Sequence, residues 1–395
     1  MKPIKKNERI PELQLVRGMA ILCVLTVHAS ASATVSMADS SYYWLYNFAN
    51  IFAKIGTPTF ILLSSFVLFY GYFSRPLDRK LIGSFYRKRL LYIVVPYVVF
   101  SAIYYAMVQL LSHQPLLSAS TLSGLGNKLV TGHAFAHLYF VIISIQFYLL
   151  FPVLLAVAKK WKGIVPWLVP IGFLVQWGFV FWNKYLQPVP NKGSWSLSYF
   201  SMFMLGAALG IYYPKIKPWL EVRLRNGCGS RFMTALLLWA SWLGLSVAHV
   251  SLYYRARSFG TRYDSLWYEF LWNFQSLTAS LVLIQAAFLL SRFGSPFARK
   301  TLYLLGQSSF GIYLVHLLFL TGYDLYMPNF GTAWLAHLRY LGSWFFMLGA
   351  SWLTVAAAAK FVPMAWILFG NLPGRAAGGR RSESGAKPLS GTASL

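Results

Sequence analysis

Long apolar runs alternate along the chain with short polar or Gly/Pro-rich breaks. A helix rises about 1.5 Å per residue, so a run of about 17 to 25 apolar residues has the length that crosses a hydrocarbon core. Ten runs of this kind are predicted as membrane-spanning helices, at residues 13–32, 47–70, 90–111, 138–158, 164–182, 197–213, 232–252, 269–291, 301–321 and 340–369. The last is long enough to be two pieces or one strongly tilted helix. The expected fold class is all-α: a polytopic membrane protein of about ten transmembrane helices, with residues 1–370 forming one membrane domain. No internal repeat and no soluble second domain is visible. From Asn371 the sequence becomes Gly-, Ser- and Arg-rich with little to bury, so 371–395 is expected to be a disordered cytoplasmic tail.

Charge distribution orients this series. With ten spans and both termini cytoplasmic, the inner segments hold 25 of the 35 Lys and Arg residues, the outer segments 7, and the spans Arg17, Lys54 and Lys360. Cytoplasmic loops collect basic residues, and one missed span would invert every later loop, so the asymmetry supports the count. The expected location is a plasma (inner) membrane. The stretch 253–268, "YYRARSFGTRYDSLWY", is an outer loop that is basic and aromatic against this rule. It is either tolerated, or a surface for an anionic or sugar-containing acceptor.

Composition agrees with a membrane protein: 57% of the 395 residues are hydrophobic and only 11% charged. The net charge of +26 lies in short runs between apolar segments, not on a soluble face, which excludes nucleic acid as a partner. Two cysteines, Cys23 and Cys228, offer no disulfide framework or metal site. The basic start, apolar run and "HASASA" imitate a cleaved signal peptide, but the run is long enough to span and contains Arg17, so it is read as the first span.

That span carries the least expected residues, in "RGMAILCVLTVH". Eleven residues turn a helix through three turns plus about 20°, so Arg17 and His28 share one face, about 16 Å apart along the axis. Intramembrane ionisable groups usually face a bundle interior or a cavity. Arg17 alone can snorkel to lipid phosphates, and His28 alone can be a hydrogen-bonded core histidine. Their shared face suits a long ligand with phosphates at Arg17 and a reacting group at His28. An acyl-coenzyme A has that shape, and imidazole is the usual base for acyl transfer to a hydroxyl.

Four segments in order resemble the acyltransferase 3 family of integral membrane proteins: "ELQLVRGMAILCVLTVHAS", with its Arg, ten residues, then His; "IGTPTFILLSSFVLFYGY"; "HLYFVIISIQFYLLFPVLL"; and "LGQSSFGIYLVHLLFL". The second and third also resemble the polysaccharide O-acyltransferases of that family. The resemblance covers about residues 10–365. It implies transfer of an acyl group, usually acetyl and sometimes succinyl, from cytoplasmic acyl-coenzyme A to a hydroxyl of a carbohydrate or lipid-linked glycan at the membrane. No cofactor is implied beyond the donor itself. Carried over by position, His28 is the catalytic histidine and Arg17 its partner, and Arg87, Lys88 and Arg89 stand where the family is basic and would help hold coenzyme A phosphates. Ser65 stands where the family usually has Gly, Tyr139 where Trp is common, and the loop 71–89 lacks an Arg-x-x-Arg.

Other candidates are weaker. Lys54 precedes Gly56-Thr57-Pro58, a break that can unwind a helix beside a cavity; it either snorkels outward or orients an acyl or sugar oxygen. His316 is a packed core histidine or a site residue. His133 and His137 bracket the start of the fourth span, and only His137 fits the family segment. Glu269 and Asp324 are the outer-end acids available to orient a histidine or bind a sugar. The many Trp and Tyr near span ends read as an interfacial belt that contacts membrane lipids. No motif of a hydrolase, P-loop or zinc enzyme is present, and no metal site is expected. The alternative from another class is a secondary transporter or flippase of a polysaccharide or its lipid-linked precursor, opposed by the lack of a repeat and by few intramembrane carboxylates.

Overall fold

A computed structural model describes residues 9–222, 229–328 and 333–372. Among these, regular structure is helical and no strand occurs. Ten helices are long and apolar enough to cross a membrane, and each coincides with a predicted span. The chain is a multi-pass membrane protein.

The first span is α1 (Glu12–Ala31), extended by a turn at Ala33–Ser36. The second is α2 (Tyr43–Phe52) and α3 (Gly56–Tyr72), joined by a 3₁₀ turn at Ala53–Ile55. Next, α4 (Arg79–Arg89) passes through a π turn at Leu90–Val94 into α5 (Val95–Leu111), and α6 (Ala119–Thr131) is a short connecting helix. The remaining spans are centred on α7 (Tyr139–Lys160), α8 (Leu168–Phe181), α9 (Phe200–Leu220), α10 (Ser230–Phe259), α11 (Ser265–Phe293), α12 (Pro296–Tyr326) and α13 (Ala333–Phe361), followed by the turn α14 (Trp366–Phe369).

Local sequence sets the helix ends. Asp78 caps α4 by accepting from the Leu81 N–H at 2.6 Å, and Asp264 caps α11 from Leu266 at 2.8 Å. Ser295 caps α12, with Pro296 in the first helical position. Gly132 and Gly260 end α6 and α10 with φ of +77° and +63°, a conformation that favours glycine.

Successive spans alternate in direction. At one end Glu12 accepts from Ser291, Arg299 donates to the Ser291 carbonyl, and Lys159 donates to the Arg75 carbonyl. At the other, Ser36 bonds Tyr340, and Lys184 and Lys192 pair with Asp264 and Glu269. The most buried spans are the second, sixth and ninth, with α3 packed on α9 and α1 on α12. These contacts are backbone-close, because a Cβ at Gly206 would stand 3.1 Å from the Leu62 carbonyl carbon and one at Gly18 3.1 Å from that of Leu302. Peripheral helices expose apolar side chains such as Leu236, Leu237 and Val247 of α10, and exposed Trp161, Trp167, Trp44, Trp182 and Trp267 stand near span ends.

Two expectations change. Residues 253–268 are not a loop: α10 continues to Phe259 and α11 begins at Ser265, leaving only 260–264 between them. Arg87, Lys88 and Arg89 lie on α4, which runs into the third span, and not in a loop. Of the two readings of the long final run, the two-piece one holds: it is broken between Phe361 and Trp366. Of the expected tail, 373–395 lies outside the described residues, as do Lys2, Lys5, Lys6, Arg223, Arg225 and Cys228. Leu372 packs against the core.

Candidate active site

Two chambers of about 270 Å³ each lie within the bundle, displaced along α1. His28 lines one and Arg17 the other. Neighbouring elements repeat the displacement: Pro58 of α3 and Tyr139 of α7 face the histidine chamber, and Phe60 and Phe140 face the arginine chamber. Tyr313 of α12 lines both and stands between them.

The histidine chamber is assembled by close contacts between the first two spans. At Gly56 an added Cβ would lie 2.8 Å from both the Ala20 carbonyl oxygen and a Val24 methyl, so only glycine lets the break in the second span cross α1 there. Asn50 donates to the Val27 carbonyl at 3.1 Å and to the Ser30 hydroxyl at 3.3 Å, fixing this crossing at the level of His28. The crossing carries Lys54 into the chamber, with its ammonium 4.5 Å from the centre of the Tyr253 ring. Gly56-Thr57-Pro58 does not unwind the chain; the irregularity is the 3₁₀ turn just before it.

His28 has two histidine neighbours. Its ring centre is 5.1 Å from that of His316 and 6.5 Å from that of His137, and those two are 5.0 Å apart. His137 and His316 are fully buried, and of the three histidines His28 and His137 line the chamber. His316 Nδ1 lies 2.7 Å from the Tyr313 carbonyl. A carbonyl only accepts, so Nδ1 carries the proton and Nε2 presents a lone pair, which has no partner among the described residues. The Tyr313 hydroxyl donates to the His137 carbonyl, and the His137 ring lies beside the Leu314 carbonyl without either nitrogen reaching good hydrogen-bond geometry. Sequence reading treated these three histidines separately; the fold brings them together from three spans.

Among the described residues no carboxylate lines either chamber. Glu269 pairs with Lys192, and Asp324 with Arg339 at 3.0 Å, so neither orients His28. His133 lies apart from the chamber, 3.4 Å from the Ser194 hydroxyl. Among the described residues no group of three His, Cys, Asp or Glu side chains is arranged to hold a metal ion.

The arginine chamber separates the basic run of α4. Arg89 lines the chamber, with its guanidinium 4.8 Å from the Tyr148 ring centre, while Arg87 and Lys88 are exposed. Helical geometry gives the reason, because positions one and two residues away point about 100° and 200° around the axis. Gln14, oriented to satisfy both ends of its amide, donates to the Gly306 carbonyl and accepts from Arg17 Nη1, each at 3.2 Å. Ser64, Ser144, Gln307, Ser309 and Asn371 supply further polar groups. Two arginines without a facing carboxylate form an anion-binding environment.

Several lining residues escaped the sequence reading. Tyr313 had a usable signal, since it stands one turn before His316 in "GIYLVH". Ser64 and Tyr148 are polar interruptions of apolar runs. Tyr199 and Trp272, which line the histidine chamber, have no local signal because only tertiary packing brings them there.

Among curated proteins and solved structures, none is significantly similar to the chain. The family model described as an acyltransferase domain matches residues 10–358, from the start of α1 to the last turn of α13. That match covers both chambers except Asn371 and includes the Arg17–His28 pair, and by it the chain belongs to the acyltransferase 3 family of membrane acyltransferases.

Proposed function

We propose that this protein transfers a small acyl group, acetyl in the first instance and succinyl as the alternative, from acyl-coenzyme A to a hydroxyl of an exported or cell-surface carbohydrate. The observation that carries this reading is the pair of chambers divided by Tyr313, one holding Arg17 and Arg89 and the other His28. The donor enters from the end bearing most of the Lys and Arg residues, and that bias supports a cytoplasmic position for this end. Its phosphates meet Arg17 and Arg89, with Arg87 and Lys88 outside as a diffuse positive field, and its extended arm brings the thioester past Tyr313 to His28. The acceptor approaches the histidine chamber from the opposite end. His137 and His316 are positioning residues on this reading, and Lys54 binds substrate.

In the transfer step the His28 imidazole takes the proton of the acceptor hydroxyl as that oxygen attacks the thioester carbonyl. The C–S bond breaks on collapse of the tetrahedral intermediate, and the departing thiolate takes the proton from the imidazolium. A buried imidazolium is costly without a partner. His316, its ring centre 5.1 Å from that of His28, is the neighbour on this reading that can accept from the imidazolium through its free Nε2 lone pair, and the proton on Nδ1, directed at the Tyr313 carbonyl, holds it in that tautomer.

The test uses purified protein with acetyl- or succinyl-coenzyme A labelled in the acyl group and membrane glycan as acceptor. Wild type is expected to acylate the glycan and His28→Ala to lose about 10²- to 10⁴-fold of the rate. Full transfer by His28→Ala refutes the assignment. Wild type that moves glycan across a vesicle membrane but never acylates it establishes a transporter instead.

A further inference from the structure

Lys54 poses a question that donor binding leaves unanswered. It lies within a membrane span and lines the histidine chamber, yet among the described residues no carboxylate pairs with it. A second cation, Arg257, does not line the chamber but shares an aromatic platform with Lys54: the Tyr253 ring centre lies 4.5 Å from the Lys54 ammonium and 5.0 Å from the Arg257 guanidinium. Arg257 Nη1 donates to the Asn47 side-chain oxygen Oδ1 at 3.2 Å, and Asn47 is itself fully buried and donates through Nδ2 to the Val250 carbonyl at 3.1 Å. Both cations are thus held in place by side chains and not by counter-ions. Glu269 is engaged by Lys192, and the buried His249 beside Tyr253 is turned to Gln275.

A lysine inside a span loses hydration, a second cation on the same ring repels it, and such groups normally pair or line a substrate path. Snorkelling accounts for a lysine facing lipid, whereas Lys54 faces the chamber. The missing counter-charge has to come with a ligand. We infer that the histidine chamber takes an anionic acceptor: a saccharide carrying a carboxylate or phosphodiester that docks on Lys54 and Arg257 while its hydroxyl reaches His28. Tyr199 and Trp272 supply flat walls for the uncharged ring faces. This inference rests on the acyl-transfer reading for its hydroxyl, but the anion subsite is tested by binding alone.

The full-length protein in nanodiscs is titrated with three probes of similar length: a hyaluronan tetrasaccharide, which carries carboxylates; a glycerol phosphate tetramer, which carries phosphodiesters; and the neutral chitotetraose. At least one charged probe is expected to bind about tenfold or more tighter than the neutral one, about 1.4 kcal/mol, and the comparison of the two identifies the anion. The preference is expected to fall to within about threefold in Arg257→Glu, and at about 1 M salt, where the screening length is about 3 Å. Because Arg257 is exposed, that variant keeps the test open if Lys54→Gln misfolds. Equal binding of all three probes, or a preference that survives Arg257→Glu, overturns the inference. Acetyl-coenzyme A binding by the same preparation separates the two readings: its absence counts against the acyl-transfer proposal, while a charge preference found without it leaves the anion subsite standing.

Discussion

The crossing of α1 and α12 gives the most quantitative prediction, because each helix contributes to both chambers: Arg17 and His28 from one, and Tyr313, which lines both, from the other, with His316 packed beside His28. At Gly306 an added Cβ would run into the Gln14 carbonyl, standing 2.7 Å from its carbon and 3.1 Å from the Gln14 Cα. Carbon atoms pack comfortably at about 3.5 to 4.0 Å, so Gly306→Ala forces the helices apart by about 1 Å. Over-packing of this kind costs about 1 to 3 kcal/mol. An alanine recovers at most about 1 kcal/mol of helix propensity, so the variant is destabilised on balance. The same displacement moves Tyr313 and His316 against His28, and a 1 Å misplacement is enough to lower a rate by about 10²-fold. The control is Gly244→Ala in α10, where no atom lies within 4 Å of the added methyl, so the sign reverses and stability is unchanged or higher by about 0.5 to 1 kcal/mol. Thermal unfolding in detergent, read beside the acyl-transfer rate, compares the two. If Gly306→Ala proves as stable and as active as Gly244→Ala, the helices do not cross at backbone distance, and the alignment of the chambers loses its structural basis.

Other perturbations separate the roles assigned to neighbouring side chains. Arg17→Lys keeps the charge but loses the planar fork, and is expected to weaken acetyl-coenzyme A binding by about 1.5 to 3 kcal/mol, measured by equilibrium dialysis; unchanged affinity places Arg17 outside the donor site. Arg89→Gln should raise the donor KM much more than Arg87→Gln, since only Arg89 lines the chamber, and equal effects would show that the run acts as a diffuse charge. His316→Phe keeps an aromatic ring, somewhat larger, and removes the lone pair, so kcat should fall while the donor dissociation constant holds, whereas a change in donor binding alone would assign His316 to packing.

How much of this was legible in the sequence depends on the range of the forces involved. The ten spans were readable because burial in lipid acts on every residue of a segment, so run length alone carries the signal. The displacement of Arg17 from His28 was also readable, because it follows from helical rise and rotation within one unbroken segment. Where one element passes into another the reading failed: Arg87 to Arg89 looked like a loop because charge ends an apolar run, yet capping by Asp78 and a π turn carry the helix straight through them. The stretch 253–268 failed likewise, its charge outweighing a helical pattern that continues to Gly260. The convergence of His28, His137 and His316 lay beyond local reasoning, since each residue has an adequate bland explanation within its own span. Their proximity depends on glycines at Gly18, Gly56 and Gly306, which give no chemical signal of their own but fix how closely the helices approach. In a protein built almost entirely of apolar helices the small residues thus decide where the polar ones meet. The site is specified as much by what is absent at those glycines as by the histidines and arginines themselves.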